Sequence, residues 1–166
     1  MEVKRCESMV VLGSLIAKSS AELVDHRLEK VWRAFWAQSL ALQAPEIPLK
    51  ARLEALRSKI YSVARYNASV WIPTNATIRK LHRCENEILR KMIPVPRQPG
   101  EDFPAWRRRH TKKARCLYHQ CGHKSFATIF LELYYKKAGD AIQDLLSCVT
   151  ANEAGPAEAS AVWTDF

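Results

Sequence analysis

The sequence predicts a mainly α-helical fold: a small helical bundle with a short N-terminal strand and a basic helical extension. Apolar residues recur at three- and four-residue steps over most of the chain, and proline-rich breaks separate these periodic segments. The chain has 166 residues, enough for one domain with a moderate core. Hydrophobic residues make up 48% and charged residues 26%, which excludes wholesale disorder. No apolar run approaches the roughly 18–20 residues that a membrane span needs, so no membrane partner is expected.

The first elements are a strand and a long helix. Residues 9–16 are apolar and include three β-branched residues, with a break at Gly13 and Ser14, which predicts a strand within a lead-in over residues 1–19. Residues 20–43 carry an apolar stripe at helical spacing, with Ser19 or Ser20 available as the N-cap. Pro45 ends this helix.

Two further helices complete a bundle over residues 20–96. Pro48 predicts the start of the second helix at its first position, and the apolar stripe runs to about Val70. The third helix is expected to be capped by Asn75 and to end at the proline-rich break that begins at Pro94. Three helices of this kind pack as a bundle and not as a sheet.

A basic helical extension is expected over residues 101–149. Asp102 is a start signal for its first helix, which Gly122 ends. A last helix over residues 125–148 is expected to be interrupted at Gly139. Residues 150–166 contain three acids and no basic residue, which predicts an acidic flexible tail.

The charge distribution favours an anionic partner. The chain has 26 Lys and Arg against 17 Asp and Glu, a net charge of +9. Residues 103–124 hold seven lysines and arginines and no acid. At helical spacing several of these cations lie opposite the apolar stripe, so we expect a face that contacts phosphates. The candidate nucleic-acid-binding residues are Arg107, Arg108, Arg109, Lys112 and Arg115. A solvated face balanced by acids elsewhere is the open alternative.

A second basic set precedes the proline-rich break. It consists of Arg79, Lys80, Arg83, Arg90, Lys91 and Arg97. Because Glu85 and Glu87 lie among these cations, we expect the set to be diluted and less suited to binding phosphate.

No catalytic, metal or cofactor site is expected. Cys116, His119, Cys121 and His123 match no standard zinc-ligand spacing, and neighbouring cations oppose a dication. The sequence shows no nucleophile elbow, phosphate loop or adjacent aspartate pair. We therefore expect a chain that is not an enzyme. The odd set of five cysteines favours an intracellular location, nuclear or cytoplasmic, over a secreted one.

Short phrases along residues 9–145 follow an order that is typical of one protein family. They are Val11-Leu12-Gly13-Ser14, residues 27–36, 48–53, 66–71, 81–97, Glu101 with residues 106–109, and residues 134–140. In that order they resemble the end of the palm, successive thumb helices and the segments beyond the thumb. The chain thus resembles the C-terminal thumb and post-thumb region of a non-LTR (LINE-like) retrotransposon reverse transcriptase.

The resemblance implies a helical thumb that grips the backbone of a template–primer. The implied partners are RNA, DNA or an RNA–DNA hybrid, bound through phosphates, and the remaining reverse-transcriptase domains. The family's aromatic-x-Asp-Asp turn, which holds the catalytic metal ions in the palm, does not occur in this sequence. A detached thumb-like fragment without polymerase activity is therefore expected. A helical protein–protein interaction module and a non-functional retroelement remnant are the alternatives.

Overall fold

The computed structural model describes residues 8–11, 14–17 and 19–153 and confirms a mainly helical bundle. Ser8–Val11 (β1) and Ser14–Ala17 (β2) pair as antiparallel strands, with Met9 opposite Ile16. The expected lead-in over residues 1–19 and the acidic tail over residues 150–166 fall partly outside the described residues.

Helices occupy most of the described chain. They are α1 (Ser20–Ala37), α2 (Ser39–Gln43), α3 (Leu49–Ala55), α4 (Ser62–Arg65), α5 (Asn75–Met92), α6 (Phe103–Gln120) and α7 (Phe126–Glu153). A π-helical turn, Leu56–Tyr61, joins α3 to α4 without a break, and a 3₁₀ turn spans Ala68–Val70. None of the described helices is long and apolar enough to cross a membrane.

Side-chain caps define three of the helix starts. Ser19 accepts a hydrogen bond from the Glu22 amide at α1, and Asp102 accepts one from the Ala105 amide at α6, so both expected starts are confirmed. At α5 the expected cap Asn75 is wrong. Thr74 caps this helix instead, because its hydroxyl accepts from the Thr77 amide.

Two helices are shorter in the structure than the sequence predicts. The helix over residues 20–43 breaks at Gln38, which separates α1 from α2. The second helix ends at Arg65 and not near Val70. Asn67 adopts a left-handed conformation, with φ of 57°, and such a residue ends a helix.

The last helix is longer than expected. It runs through Gly139 from Phe126 to Glu153, so the expected interruption at this glycine is wrong. A single glycine in a helix costs about 1 kcal/mol relative to alanine. The helical turns on either side of Gly139 continue despite this cost.

One hydrophobic core joins α1 to α7. Phe35, Leu53 and Ile88 are fully buried in it. The ring centroids of Tyr61 and Phe126 lie 3.9 Å apart, so the start of α7 packs on the π-helical turn. Residues of the expected extension, 101–149, therefore share the core of the bundle over residues 20–96.

Arg52 of α3 holds three segments of backbone together. Its guanidinium donates hydrogen bonds to the carbonyls of Ile47, Leu42 and Met92 at 3.0, 3.3 and 2.8 Å. The ends of α2 and α5 and the loop between α2 and α3 thus meet at one side chain. A cation at helix C-termini also complements the helix dipoles.

Candidate nucleic-acid interface

Helices α5 and α6 lie side by side and antiparallel. His110 Nε2 donates to the carbonyl of Ile93, at the C-terminal end of α5, at 2.7 Å. Arg90, one turn before Ile93 on α5, donates from Nη1 to Thr111 Oγ1 at 2.9 Å. These contacts place the basic residues of α5 next to those of α6.

The structure brings together four of the five candidate residues on α6. Arg107, Arg108, Lys112 and Arg115 line one open depression of about 700 Å³, together with Pro104 and Thr111. The side chains of Arg107, Arg108 and Lys112 are exposed, and Arg115 is half-buried beside α5. The expected phosphate-facing row therefore exists as a continuous surface feature on α6.

A second depression continues this surface onto α5. It is lined by Arg79, His82, Arg83, Asn86, Glu87, Arg90 and Arg107. Arg107 lines both depressions, so they form one surface. We call its seven cations the α5–α6 face: Arg79, Arg83, Arg90, Arg107, Arg108, Lys112 and Arg115.

Of the two acids expected to dilute the α5 cations, Glu85 lines neither depression. Its side chain is buried, and its Oε1 accepts hydrogen bonds from the Tyr61 hydroxyl at 2.6 Å and the Phe126 amide at 3.0 Å. Burial raises the pKa of this carboxyl above its ordinary value. Among the described residues that line the two depressions, Glu87 is the one acid, 3.9 Å from Arg107.

The position of Glu85 carries a signal in the sequence. It lies four residues after Leu81 and three before Ile88, both of which are buried core residues of α5. Helical periodicity thus assigns Glu85 to the core side of α5 and not to its basic side.

Other cations of the two basic sets lie elsewhere. Arg109 donates to Glu101 and to the Pro96 carbonyl, away from the α5–α6 face. Lys80 pairs with Asp25 of α1 at 2.6 Å. Lys91 lies over the Trp36 ring, 4.8 Å from its centroid. Each of these three cations thus has a partner within the chain.

Burial and a neighbouring cation lower the pKa of two side chains on this surface. Burial and the nearby charge of Arg107 lower the pKa of Arg90. Burial and the charge of Arg115 lower the pKa of His82. Among the described residues that line the two depressions, the seven cations outnumber the one acid, Glu87, so an anion placed there would be stabilised.

The cysteines and histidines near the end of α6 do not converge. Cys116 and Cys121 are exposed, and His119 Nδ1 donates to the His123 carbonyl at 3.1 Å. Within the part of the chain that the structure describes, no group of three or more His, Cys, Asp and Glu side chains is placed to hold a metal ion.

Comparison of the chain with protein-family models, curated proteins and solved structures finds no match.

Proposed function

We propose that the α5–α6 face binds the phosphate backbone of RNA, DNA or an RNA–DNA hybrid. In this proposal the chain is a thumb-like module, as the resemblance to reverse transcriptases implies, and has no polymerase activity of its own. The observation that carries it is the convergence of seven cations from two helices on one surface, where Glu87 is the one acid among the described lining residues. An intracellular location, nuclear or cytoplasmic, goes with this function.

The composition and length of the face suit a phosphate backbone. Six of its seven cations are arginines, whose planar guanidinium binds phosphate oxygens through two parallel hydrogen bonds. The α5 row from Arg79 to Arg90 spans about 16 Å at 1.5 Å per residue. Contacts of this kind position the nucleic acid without reading its bases, so little sequence preference is expected.

The proposal is tested by the salt dependence of binding. A labelled RNA–DNA primer–template is titrated with the chain at 50 and 200 mM salt, and fluorescence anisotropy gives the dissociation constant. If four to six phosphates are contacted, affinity falls by roughly two to three orders of magnitude between these concentrations. No binding at 50 mM salt by a chain that circular dichroism shows to be folded would refute the function.

A charge-matched pair of variants locates the binding surface. The triple substitution Arg108→Ala, Lys112→Ala and Arg115→Ala removes three cations of the face and should reduce the log–log salt slope by roughly 3. The control Arg33→Ala, Lys50→Ala and Lys137→Ala removes three exposed cations from α1, α3 and α7. Equal losses of slope in both variants would show that total charge, and not this face, governs binding.

A second candidate function is self-association through α7. Tyr135, Ile142 and Leu145 are 65, 58 and 67% exposed on this helix. With Ala138 they follow the 3-4-3 spacing of a coiled-coil seam, which fits a second copy of the same helix. Sedimentation velocity at 500 mM salt would detect the dimer, because apolar association persists where phosphate binding is screened. A monomer at all concentrations, unchanged by Leu145→Asp, would exclude it.

A further inference from the structure

His82 lies in the floor of the α5–α6 face. It lines the depression between α5 and α6 together with Asn86, one helical turn further along α5. About a third of the His82 side chain is exposed, at 34%. The histidine is therefore accessible from the surface that the cations surround.

Polar atoms in this floor are without hydrogen-bond partners among the described residues. His82 Nδ1 and Asn86 Oδ1 are both buried and unpaired. Buried polar atoms are paired in the great majority of cases, and an unpaired one requires a physical reason. For His82 Nδ1, a ligand that draws a proton onto the imidazole provides such a reason, because Nδ1 then donates towards the Glu85 carboxyl.

Charged groups approach His82 from two helices. Arg115 of α6 is the cation whose charge acts on the imidazole. Arg79, Arg83, Arg90, Arg107 and Glu87 line the same depression. On the core side, Glu85 Oε2 lies 4.0 Å from His82 Nδ1. The ring thus lies between a buried carboxyl group and a cationic surface.

We propose that His82 is a phosphate-binding residue of the α5–α6 face and takes up a proton when a backbone phosphate binds. One N–H of the imidazolium, at Nε2, donates to a phosphate oxygen, and the other, at Nδ1, faces the Glu85 carboxyl. The side-chain amide of Asn86 is placed one turn away to donate to the same backbone. This inference rests on the proposed function.

The proton uptake has a simple electrostatic cause. In the free chain, burial and Arg115 hold the pKa of His82 below its ordinary value, so the ring is neutral at pH 7. A phosphate bound in the depression that His82 lines places negative charge near the ring, which offsets the repulsion from Arg115 and favours the imidazolium. Binding then becomes linked to protonation, and affinity rises as the pH falls. The expected gain is about five- to tenfold between pH 7.5 and pH 6.0, below the ceiling of about thirtyfold that uptake of one proton sets over this range.

The test compares two histidine variants. His82→Gln removes the proposed ligand, and His26→Gln is the matched control: His26 is a half-buried histidine of α1, with an unpaired ring nitrogen, outside the α5–α6 face. Affinity for the labelled RNA–DNA primer–template is measured at pH 6.0 and 7.5 at constant ionic strength. The wild-type chain and His26→Gln should bind about five- to tenfold more tightly at pH 6.0, and His82→Gln should lose this difference.

Nuclear magnetic resonance of the wild-type chain gives an independent measurement. The imidazole C–H resonances should show that the midpoint of His82 titration rises when the primer–template is added. An unchanged midpoint, or a pH effect that His82→Gln retains, would overturn the inference. If binding is steeply salt-dependent but equally tight at both pH values, the proposed function stands and only the role of His82 falls. Absence of binding at both pH values and 50 mM salt refutes both.

Discussion

Arg109 forms a bidentate ion pair with Glu101. Its Nε donates to Oε1 at 2.8 Å and its Nη2 donates to Oε2 at 2.7 Å. The same Nη2 donates to the Pro96 carbonyl at 2.9 Å, and Glu101 Oε2 also accepts from the Gln98 amide. The pair thus ties the loop between α5 and α6 to the start of α6. Arg108, the preceding residue, belongs instead to the α5–α6 face.

The two adjacent arginines should therefore respond differently to substitution. Arg109→Ala is expected to lower the thermal midpoint of unfolding and to leave the salt slope of nucleic-acid binding unchanged. Arg108→Ala should leave the midpoint unchanged and reduce the slope by about 1, because one phosphate contact is lost. Calorimetry and anisotropy measure the two quantities. If the slope is reduced as much in Arg109→Ala as in Arg108→Ala, Arg109 also contacts the nucleic acid and the prediction is wrong.

The ion pair between Arg109 and Glu101 should stabilise the folded chain, and acid should remove this stabilisation. The hydrogen bond from Arg109 lowers the pKa of Glu101 to about 2, below its ordinary value of 4.5. The contribution to stability is present above pH 4.5 and is lost as the pH falls through about 2. Thermal melts between pH 6 and pH 2 should show a larger loss for the wild-type chain than for Glu101→Gln. Glu46→Gln, at an exposed loop position, should behave as the wild type; if Glu101→Gln does so too, the pair makes no such contribution.

The buried Glu85 should give stability the opposite pH dependence. Burial raises its pKa in the folded chain, so stability is fully present below the ordinary glutamate range and declines as the pH rises. The slope is at most about 1.4 kcal/mol per pH unit. Glu85→Gln keeps an oxygen that accepts from Tyr61 and Phe126 but cannot ionise. Urea unfolding from pH 4 to pH 7 should show a smaller decline for this variant; an equal decline would contradict the assignment.

Arg52 should contribute more to the free energy of unfolding than the exposed Arg57. Removing the guanidinium leaves three backbone carbonyls without their donor, and Arg52→Ala is expected to lower the free energy of unfolding by about 2–3 kcal/mol. Arg57→Ala, on an exposed position of the π-helical turn, should change it by less than about 0.5 kcal/mol. Similar values for the two variants in urea unfolding would contradict this role.

Gly139 offers a stabilising substitution. It lies inside α7, its φ is not positive, and a Cβ placed there meets no atom within 4 Å. Gly139→Ala should stabilise the helix by about 0.5–1 kcal/mol, because alanine loses less backbone entropy on folding. Circular dichroism during thermal unfolding measures the gain. A destabilised variant would show that α7 bends at this glycine.

Much of the secondary structure follows from the sequence. Apolar spacing predicted the helices, and the caps at Ser19 and Asp102 lie where local side-chain chemistry requires them. The same spacing predicted that Arg108, Lys112 and Arg115 share a side of α6. The misplaced ends, at Gln38 and after Arg65, arise where backbone conformation at single residues overrides periodicity.

Only the tertiary structure decided the extent of the candidate site. Periodicity determines which side chains share one face of one helix, but packing determines which faces of two helices meet. The contact between α5 and α6 joined their cations into one surface. Periodicity places Glu85 on the core side of α5, but its partners there, Tyr61 and Phe126, come from distant parts of the chain. Arg109 is paired instead with Glu101, eight residues earlier in the sequence. The partner of a charged side chain depends on the whole fold, so its role could not be assigned from local sequence.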